Sequence, residues 1–267
     1  MNIQEQWAIF LAAICEQAYA QYTNPDGSFV VPVNYSIVDT IQAKSISNAW
    51  ERFGFILESE QDIIIAFRGT ISTTNWISNA MATQIKPTFI KEDCLTHRGF
   101  TNIYSSAREG ILSTLDRMSP EKTLYITGHS LGGALATLCA IDVAANTNHT
   151  SPNLFTYGSP RVGDPEFVKA FTKYVRKSSR YANLFDVVTY APPTVFKLPK
   201  QVRKYYYQHV QTLDSLSFQN GSVGENHIIS SYFAEISKLR PQFAGELCLT
   251  NPGFCPVPEV KTVQPVK

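Results

Sequence analysis

The sequence predicts an α/β fold with a mostly parallel central sheet flanked by helices, and three observations carry that expectation. Short apolar runs of strand length alternate with longer stretches whose apolar residues recur at helical spacing. One run, Asp62 to Phe67 (DIIIAF), is continuous rather than alternating, as in a central strand buried on both faces. Another, Leu124 to Ile126, turns sharply through Gly128-His129-Ser130-Leu131-Gly132 into an alanine- and leucine-rich helix. Strand, G-x-S-x-G and helix in immediate succession are the context of a nucleophile elbow.

Composition bounds the rest. At 267 residues, with 44% hydrophobic and 12% aromatic content, the chain suffices for one domain with a large core, expected over residues 1–267. Lys+Arg 23 against Asp+Glu 22 gives no support for a nucleic-acid partner. No apolar run reaches the length of about 18 residues that a transmembrane anchor needs. Nothing fixes the oligomeric state, for which a monomer is the default.

Taken in order, Trp7, Phe10, Leu11, Ile14, Cys15, Ala18 and Tyr19 fall at helical spacing. They predict an amphipathic helix over residues 1–22 in preference to a signal peptide, since MNIQEQW lacks a basic residue and carries Glu5. The compartment stays open on this reading, cytoplasmic or secreted by another route. Ser28 to Ser45 alternates apolar and polar residues and reads as antiparallel edge strands; Ala49 to Glu58 is a further strand, and Gln61-Asp62 a hairpin turn leading into DIIIAF. A helix is expected over Phe100 to Met118, then the elbow. After a strand at Leu154 to Tyr157, Asp164 caps a helix opened by Pro165 and reaching about Arg176. Strands are expected at Tyr181 to Val188 and Lys204 to Leu213, and a helix from His227 to Leu239. Residues 250–267, with four prolines from Thr250 onward and few apolar anchors, read as an extended or disordered tail. Cys139 reads as a small buried hydrophobe, and Cys248 and Cys255 are candidates for a bridge in an oxidising compartment. There is no C-x-x-C and no His/Cys cluster with metal spacing.

A serine hydroxyl needs a base to take its proton and a third group to orient that base. Among five histidines, His129 lies too close in sequence to turn back onto Ser130 and supports the turn instead. His97, His149 and His209 read as structural, which leaves His227, at the junction of a Gly/Asn-rich loop and a late helix. The acid belongs between the serine and the histidine, just beyond a strand. Asp186 meets both conditions; Asp164 reads as a cap, Asp142 lies on the elbow helix and Asp214 comes late. For an oxyanion, Leu131 offers the N–H after the nucleophile, and the loop Arg68-Gly69-Thr70 after DIIIAF offers the backbone N–H and hydroxyl of Thr70. Each such donor is typically worth about 3 kcal/mol in the transition state.

These residues lie in motifs that resemble the class 3 lipases, which include the filamentous-fungal triacylglycerol lipases. The motifs are FRGT with NWISN (Phe67 to Asn79), HRGF (His97 to Phe100), TGHSLGGALATL (Thr127 to Leu138), YGSPRVGDPEF (Tyr157 to Phe167), NLFDVVTYAPP (Asn183 to Pro193) and HIISSYF (His227 to Phe233). The resemblance covers roughly residues 60 to 235. It implies an α/β-hydrolase fold, a triad of Ser130, Asp186 and His227, oxyanion donors at Thr70 and Leu131, and a lid after Thr70. It implies no metal and no organic cofactor. Asn79 stands where the fungal enzymes usually carry an aspartate that orients the oxyanion hydroxyl, so Asn79 is the expected oxyanion support without its charge.

The lid reading also has support in the residues themselves. Gly69 to Ile85 contains no charged residue, and Trp76, Ile77, Ala80 and Met81 would share a helical face. Trp76, Ile77 and Met81 are the candidate lid and acyl-binding residues of a short lid helix within about 71–86, opening onto a lipid–water interface; a core helix is the other reading. The basic stretches Lys173 to Arg180 and Lys197 to Lys204 read as solvated faces, with a weak attraction to anionic lipid surfaces as the second reading. The expected function is hydrolysis of lipid esters, triacylglycerols and related acylglycerols, to fatty acids. Phospholipase A1, feruloyl esterase and a non-catalytic interaction protein on the same scaffold are the rivals.

Overall fold

The computed structural model describes residues 3–70, 82–210 and 213–257. The first part of the chain forms α1 (Ile3–Thr23), β1 (Ser36–Lys44), β2 (Trp50–Glu58) and β3 (Asp62–Phe67). It continues with β4 (Gln84–Ile85), β5 (Thr96–His97), α2 (Arg98–Leu115), β6 (Thr123–His129), α3 (Leu131–Asn146), β7 (Asn153–Tyr157), α4 (Pro165–Tyr174) and β8 (Lys177–Asn183). After a 3-10 turn over Val187–Tyr190 come β9 (Val195–Lys197), β10 (Lys204–Tyr206), β11 (Leu213–Leu216), α5 (Ile229–Ser237) and α6 (Pro241–Thr250).

Among the described residues, seven strands form the main sheet in the order β1-β2-β3-β6-β7-β8-β11. The β1–β2–β3 meander is antiparallel, and from β3 onward every neighbour is parallel. Both faces are covered. Ile63, Ile65 and Phe67 of β3 join the core beneath α2, α3 and α4, while Ile64 and Ala66 join the core beneath α1, α5 and α6. Ile63 to Phe67 is therefore apolar throughout because neither face of that run meets water.

Several elements depart from the sequence reading, each for an identifiable reason. α1 is enclosed rather than amphipathic, with Ala8, Ile9 and the whole of Leu11 to Cys15 buried. Its alanines let the sheet, α5 and α6 approach from several sides. The strand expected at Tyr181 to Val188 is β8, ending at Asn183, and Leu184, Phe185 and Val187 prolong the apolar run as surface residues 42–50% exposed. The run from Lys204 to Leu213 is not one strand. β10 pairs with β9 in a small hairpin and β11 joins the main sheet, because Tyr207 turns inward and donates its hydroxyl to the Ala82 carbonyl (2.8 Å). The tail expected from Thr250 is packed as far as it is described. α6 ends in a turn bridged by Cys248–Cys255, and the Gln17 amide donates to the carbonyls of Gly253 and Phe254 (3.1 and 2.8 Å). Phe254 is buried against α1.

Most of the expected lid, together with Trp76, Ile77, Asn79 and Met81, lies outside the described residues. The end of that segment is anchored: Ala82, Thr83 and Gln84 are buried, and the Gln84 amide donates to the Tyr206 carbonyl (2.6 Å). No helix of the described residues is long and apolar enough to cross a membrane.

The start of α3 crosses the ends of β3 and β6 at backbone-to-backbone distance. A Cβ on Gly132 would stand 2.2 Å from the Phe67 carbonyl oxygen and 2.7 Å from the Arg68 carbonyl carbon. One on Gly128 would stand 2.2 Å from the Gly132 oxygen. All these neighbours are backbone and cannot give way. Gly132→Ala is expected to cost about 3 kcal/mol or more through overpacking. Thermal unfolding should then fall by roughly 6–12 °C for a chain of this size; an unchanged Tm would contradict the crossing described.

Candidate active site

The elbow follows from this crossing. β6 ends at His129 and α3 begins at Leu131, so the single residue between them makes the whole turn, with Ser130 at φ 58° and ψ −128°. A non-glycine residue in this region stores on the order of 1–3 kcal/mol, held by its surroundings. Here the Ser130 N–H donates to the Tyr157 carbonyl of β7 (3.0 Å), and the Ser130 carbonyl accepts the Gly133 N–H (2.9 Å). The first N–H groups of α3, Leu131 included, have no acceptor within the helix and point their dipoles toward the serine end.

The structure brings Ser130, His227 and Asp186 together at the C-terminal edge of the sheet. Ser130 Oγ lies 2.8 Å from His227 Nε2, and His227 Nδ1 lies 2.7 Å from Asp186 Oδ2. All three side chains are buried. A carboxylate can only accept, so the Nδ1–H donates to Asp186, and Nε2 is left to accept from the serine hydroxyl. Asp186 also accepts the Tyr232 hydroxyl on Oδ2 (2.7 Å) and the Val188 N–H on Oδ1 (2.9 Å). Burial and the adjacent Asp186 raise the Tyr232 phenol well above its ordinary pKa, so it remains a donor.

The Thr70 side is partly described. A Cβ on Gly69 would lie 3.0 Å from Ser130 Cβ, which puts the Arg68–Thr70 loop directly against the serine. The Thr70 hydroxyl oxygen is enclosed and has no hydrogen-bond partner among the described residues. Arg68 fixes the base of this loop. It donates to the carbonyls of Arg52 and Gly69 (both 2.7 Å), pairs with Glu51 (2.7 Å), and lies 3.6 Å from the Tyr22 ring centroid and 4.2 Å from that of Phe53.

His129 does more than support the turn. Its Nε2 donates to the backbone carbonyl of His227 (2.5 Å) and its Nδ1 accepts the Tyr19 hydroxyl (2.8 Å). The Gly69 N–H reaches the same Tyr19 oxygen. Burial, and secondarily His227, hold His129 well below the ordinary histidine pKa, so it is neutral and locked in one tautomer. Tyr19 on the first helix thus joins the elbow, the Thr70 loop and the backbone of His227.

The remaining candidates are structural. His97 caps α2 through Nδ1, which accepts the Phe100 N–H (3.3 Å); Asp164 caps α4 by accepting the Phe167 N–H (2.8 Å). His149 reaches the Leu115 carbonyl and His209 the Thr189 carbonyl (3.3 and 2.7 Å). Asp142 is fully buried on α3, bound by Tyr104, Arg108 and Asn146. Four contributors escape sequence reasoning. Tyr19, Tyr232 and Arg68 are used through a polar end that apolar periodicity ignores. Gly158, at φ 56°, is required because a Cβ there would stand 2.9 Å from Asp186 Oδ2 and 3.2 Å from the His227 ring. A groove of about 490 Å³ lined by Trp7, Phe10, Tyr35 and Phe243 opens beside Asp62, at the opposite edge of the sheet from Ser130.

Two outcomes are expected. Tyr19→Phe strips partners from His129 Nδ1 and the Gly69 N–H, at a cost of about 2 kcal/mol. The Nε2–H tautomer, fixed by the His227 carbonyl, should persist while the nitrogen-15 resonance of Nδ1 shifts as its donor is lost; an unchanged Nδ1 signal and Tm would refute the linkage. His97 is pushed down to about 3 by burial, so it stays neutral in the folded chain while the unfolded chain protonates near 6.5. The unfolded state therefore binds the extra proton below pH 6.5, and stability falls on acidification by up to about 1.4 kcal/mol per pH unit for this group. Urea unfolding between pH 7 and pH 4 should show the wild type losing ground to His97→Asn by that slope.

Comparison with known proteins bears on the family and the fold. The family model "Lipase (class 3)" matches residues 64–196. The chain is 36% identical over 145 residues to a lipase of Rhizomucor miehei, covering 52% of this chain and 40% of that protein. It is 34% identical over 173 residues to phospholipase A1-II 1 of Oryza sativa, covering 51% of this chain and 44% of the relative. The matched stretches thus span less than half the length of either relative. Among solved structures, lipase II from Rhizopus niveus superposes with a TM-score of 0.62 at 25% identity, over 73% of this chain and 77% of that one. Over residues 64–196 the chain matches the class 3 lipase family, and it has the α/β-hydrolase fold of these lipases.

Proposed function

We propose that this protein is a serine hydrolase that cleaves the carboxylic esters of lipids, triacylglycerols and related acylglycerols, through an acyl-enzyme. The observation that carries the reading is the buried hydrogen-bonded run from Ser130 Oγ through His227 to Asp186, set on a strained elbow. Ser130 attacks the ester carbonyl as its proton passes to His227 Nε2. Asp186, held by Tyr232 and the Val188 N–H, keeps Nδ1–H in place and stabilises the imidazolium that forms. The N–H groups of Leu131 and Thr70 and the Thr70 hydroxyl receive the oxyanion, with Asn79 as the proposed support for that hydroxyl. His227 then protonates the leaving alcohol, and water repeats the cycle to release fatty acid.

Similarity to lipases, together with the uncharged run from Gly69 to Ile85, supports a lipid ester over a soluble one, with Trp76, Ile77 and Met81 as the proposed acyl-facing residues. Similarity to a phospholipase A1 keeps a glycerophospholipid as the second reading. A panel of p-nitrophenyl esters of increasing chain length, with triolein, phosphatidylcholine and methyl ferulate, tests both. The expected result is turnover of long-chain esters and triolein, with kcat reduced on the order of 10⁵–10⁶-fold in Ser130→Ala. Preference for phosphatidylcholine would favour the second reading. Turnover of none of these esters, or most activity surviving in Ser130→Ala, would refute the catalytic reading.

A further inference from the structure

The 27 residues between Asp186 and Asp214 contain no acidic side chain, and their four cations, Lys197, Lys200, Arg203 and Lys204, are crowded into eight positions. Removing these four leaves the rest of the chain with 19 basic against 22 acidic side chains, so the local excess runs against the charge of the remainder. All four are exposed, and none forms an ion pair among the described residues. The hairpin register places Lys197 directly opposite Lys204. Like charges in that position weaken a two-stranded ribbon, which gains nothing from them within the chain.

The hairpin has two unlike faces. Phe196 and Tyr205 pack inward with Ala82 and Tyr207. Val195 and Tyr206, cross-strand partners, face outward beside the lysine pair and are 49% and 50% exposed. Val202, in the connection between the strands, is 92% exposed among the cations. An outer surface with apolar side chains ringed by unpaired cations suits a lipid surface bearing negative charge better than a soluble anion, which would leave the valines in water. The ribbon is also tied to the site: the hydroxyl of Tyr207 and the carbonyl of Tyr206 hold Ala82 and Gln84, where the segment following Thr70 returns to the described chain.

We propose that the outer face of the β9–β10 hairpin docks the protein on anionic lipid surfaces, with Val202 entering the interface and the four cations engaging headgroups. This deepens the lipid-ester reading and rests on it for its purpose, while its test is independent of turnover. Vesicles of phosphatidylcholine, alone or with 30 mol% phosphatidylglycerol, are sedimented with the full chain carrying Ser130→Ala, so that no lipid is consumed. Each cation near an anionic surface contributes about fivefold. Binding should therefore be at least tenfold tighter to the anionic vesicles in 0.1 M NaCl, and the preference should vanish in 0.5 M NaCl. Replacing all four cations by Gln should abolish it, and Val202→Asp should weaken binding to both vesicles. In the active background, the Gln variant should still hydrolyse soluble p-nitrophenyl butyrate within twofold of wild type. Equal binding to both vesicles, or the Gln variant binding as wild type, overturns the proposal. So does retention on heparin accompanied by unaltered vesicle binding in Val202→Asp, which would mark a polyanion site. Absence of turnover of p-nitrophenyl butyrate and of every long-chain and lipid ester of the panel by the wild type would instead remove the ester-hydrolase reading and leave the docking result standing.

Discussion

The close approach of α3 to the ends of β3 and β6 sets the terms for the rest of the molecule. Backbone meets backbone there without intervening side chains, so the chain must reverse direction within one residue, and that residue is Ser130. From this follow the left-handed dihedral angle, the helix N-terminus beside the hydroxyl, and the contact of the Gly69 loop with the serine. None of these features could be relaxed alone. A wider crossing would open the turn, swing the hydroxyl away from His227 and separate Leu131 from Thr70.

The opposite side of the site is held by a different device. Asp186 lies at the start of a 3-10 turn whose carbonyls are gripped from two directions. His209 donates to Thr189 (2.7 Å), and Arg161 donates to Tyr190 and to Pro192 (2.8 Å to the latter). Burial, and next to it Arg180, push His209 down to about 3, so it remains a neutral donor. Polar side chains that read as ordinary in sequence thus fix a turn which would otherwise be a surface loop with three exposed apolar residues.

What the sequence made legible is what depends on local chemistry. DIIIAF declares a doubly buried strand because five consecutive apolar residues have no other stable use, and GHSLG declares an elbow because its glycines are local necessities. Asp186 and His227 were legible through chain order and position after strand and loop. Tyr19 and Tyr232 were visible only as rings on helical stripes, since the partner of each hydroxyl is supplied by tertiary contact. Gly158 looked like a turn residue, although its missing side chain makes room for the Asp186–His227 pair. The end of β8 is not legible, because Leu184, Phe185 and Val187 have the apolarity of a strand and the exposure of a surface.

The link from Tyr19 through His129 to the carbonyl of His227 also bears on how the molecule comes into being. It ties a residue of the first helix to one that follows the whole sheet, and α1 packs both on the sheet and against α5 and α6. During synthesis the side of the first helix that faces α5 and α6 stays uncovered until those last helices emerge. A nascent chain grown as far as Asp186 holds Ser130 but not His227. The contact between Ser130 and His227 therefore forms late, in the same step that completes the core.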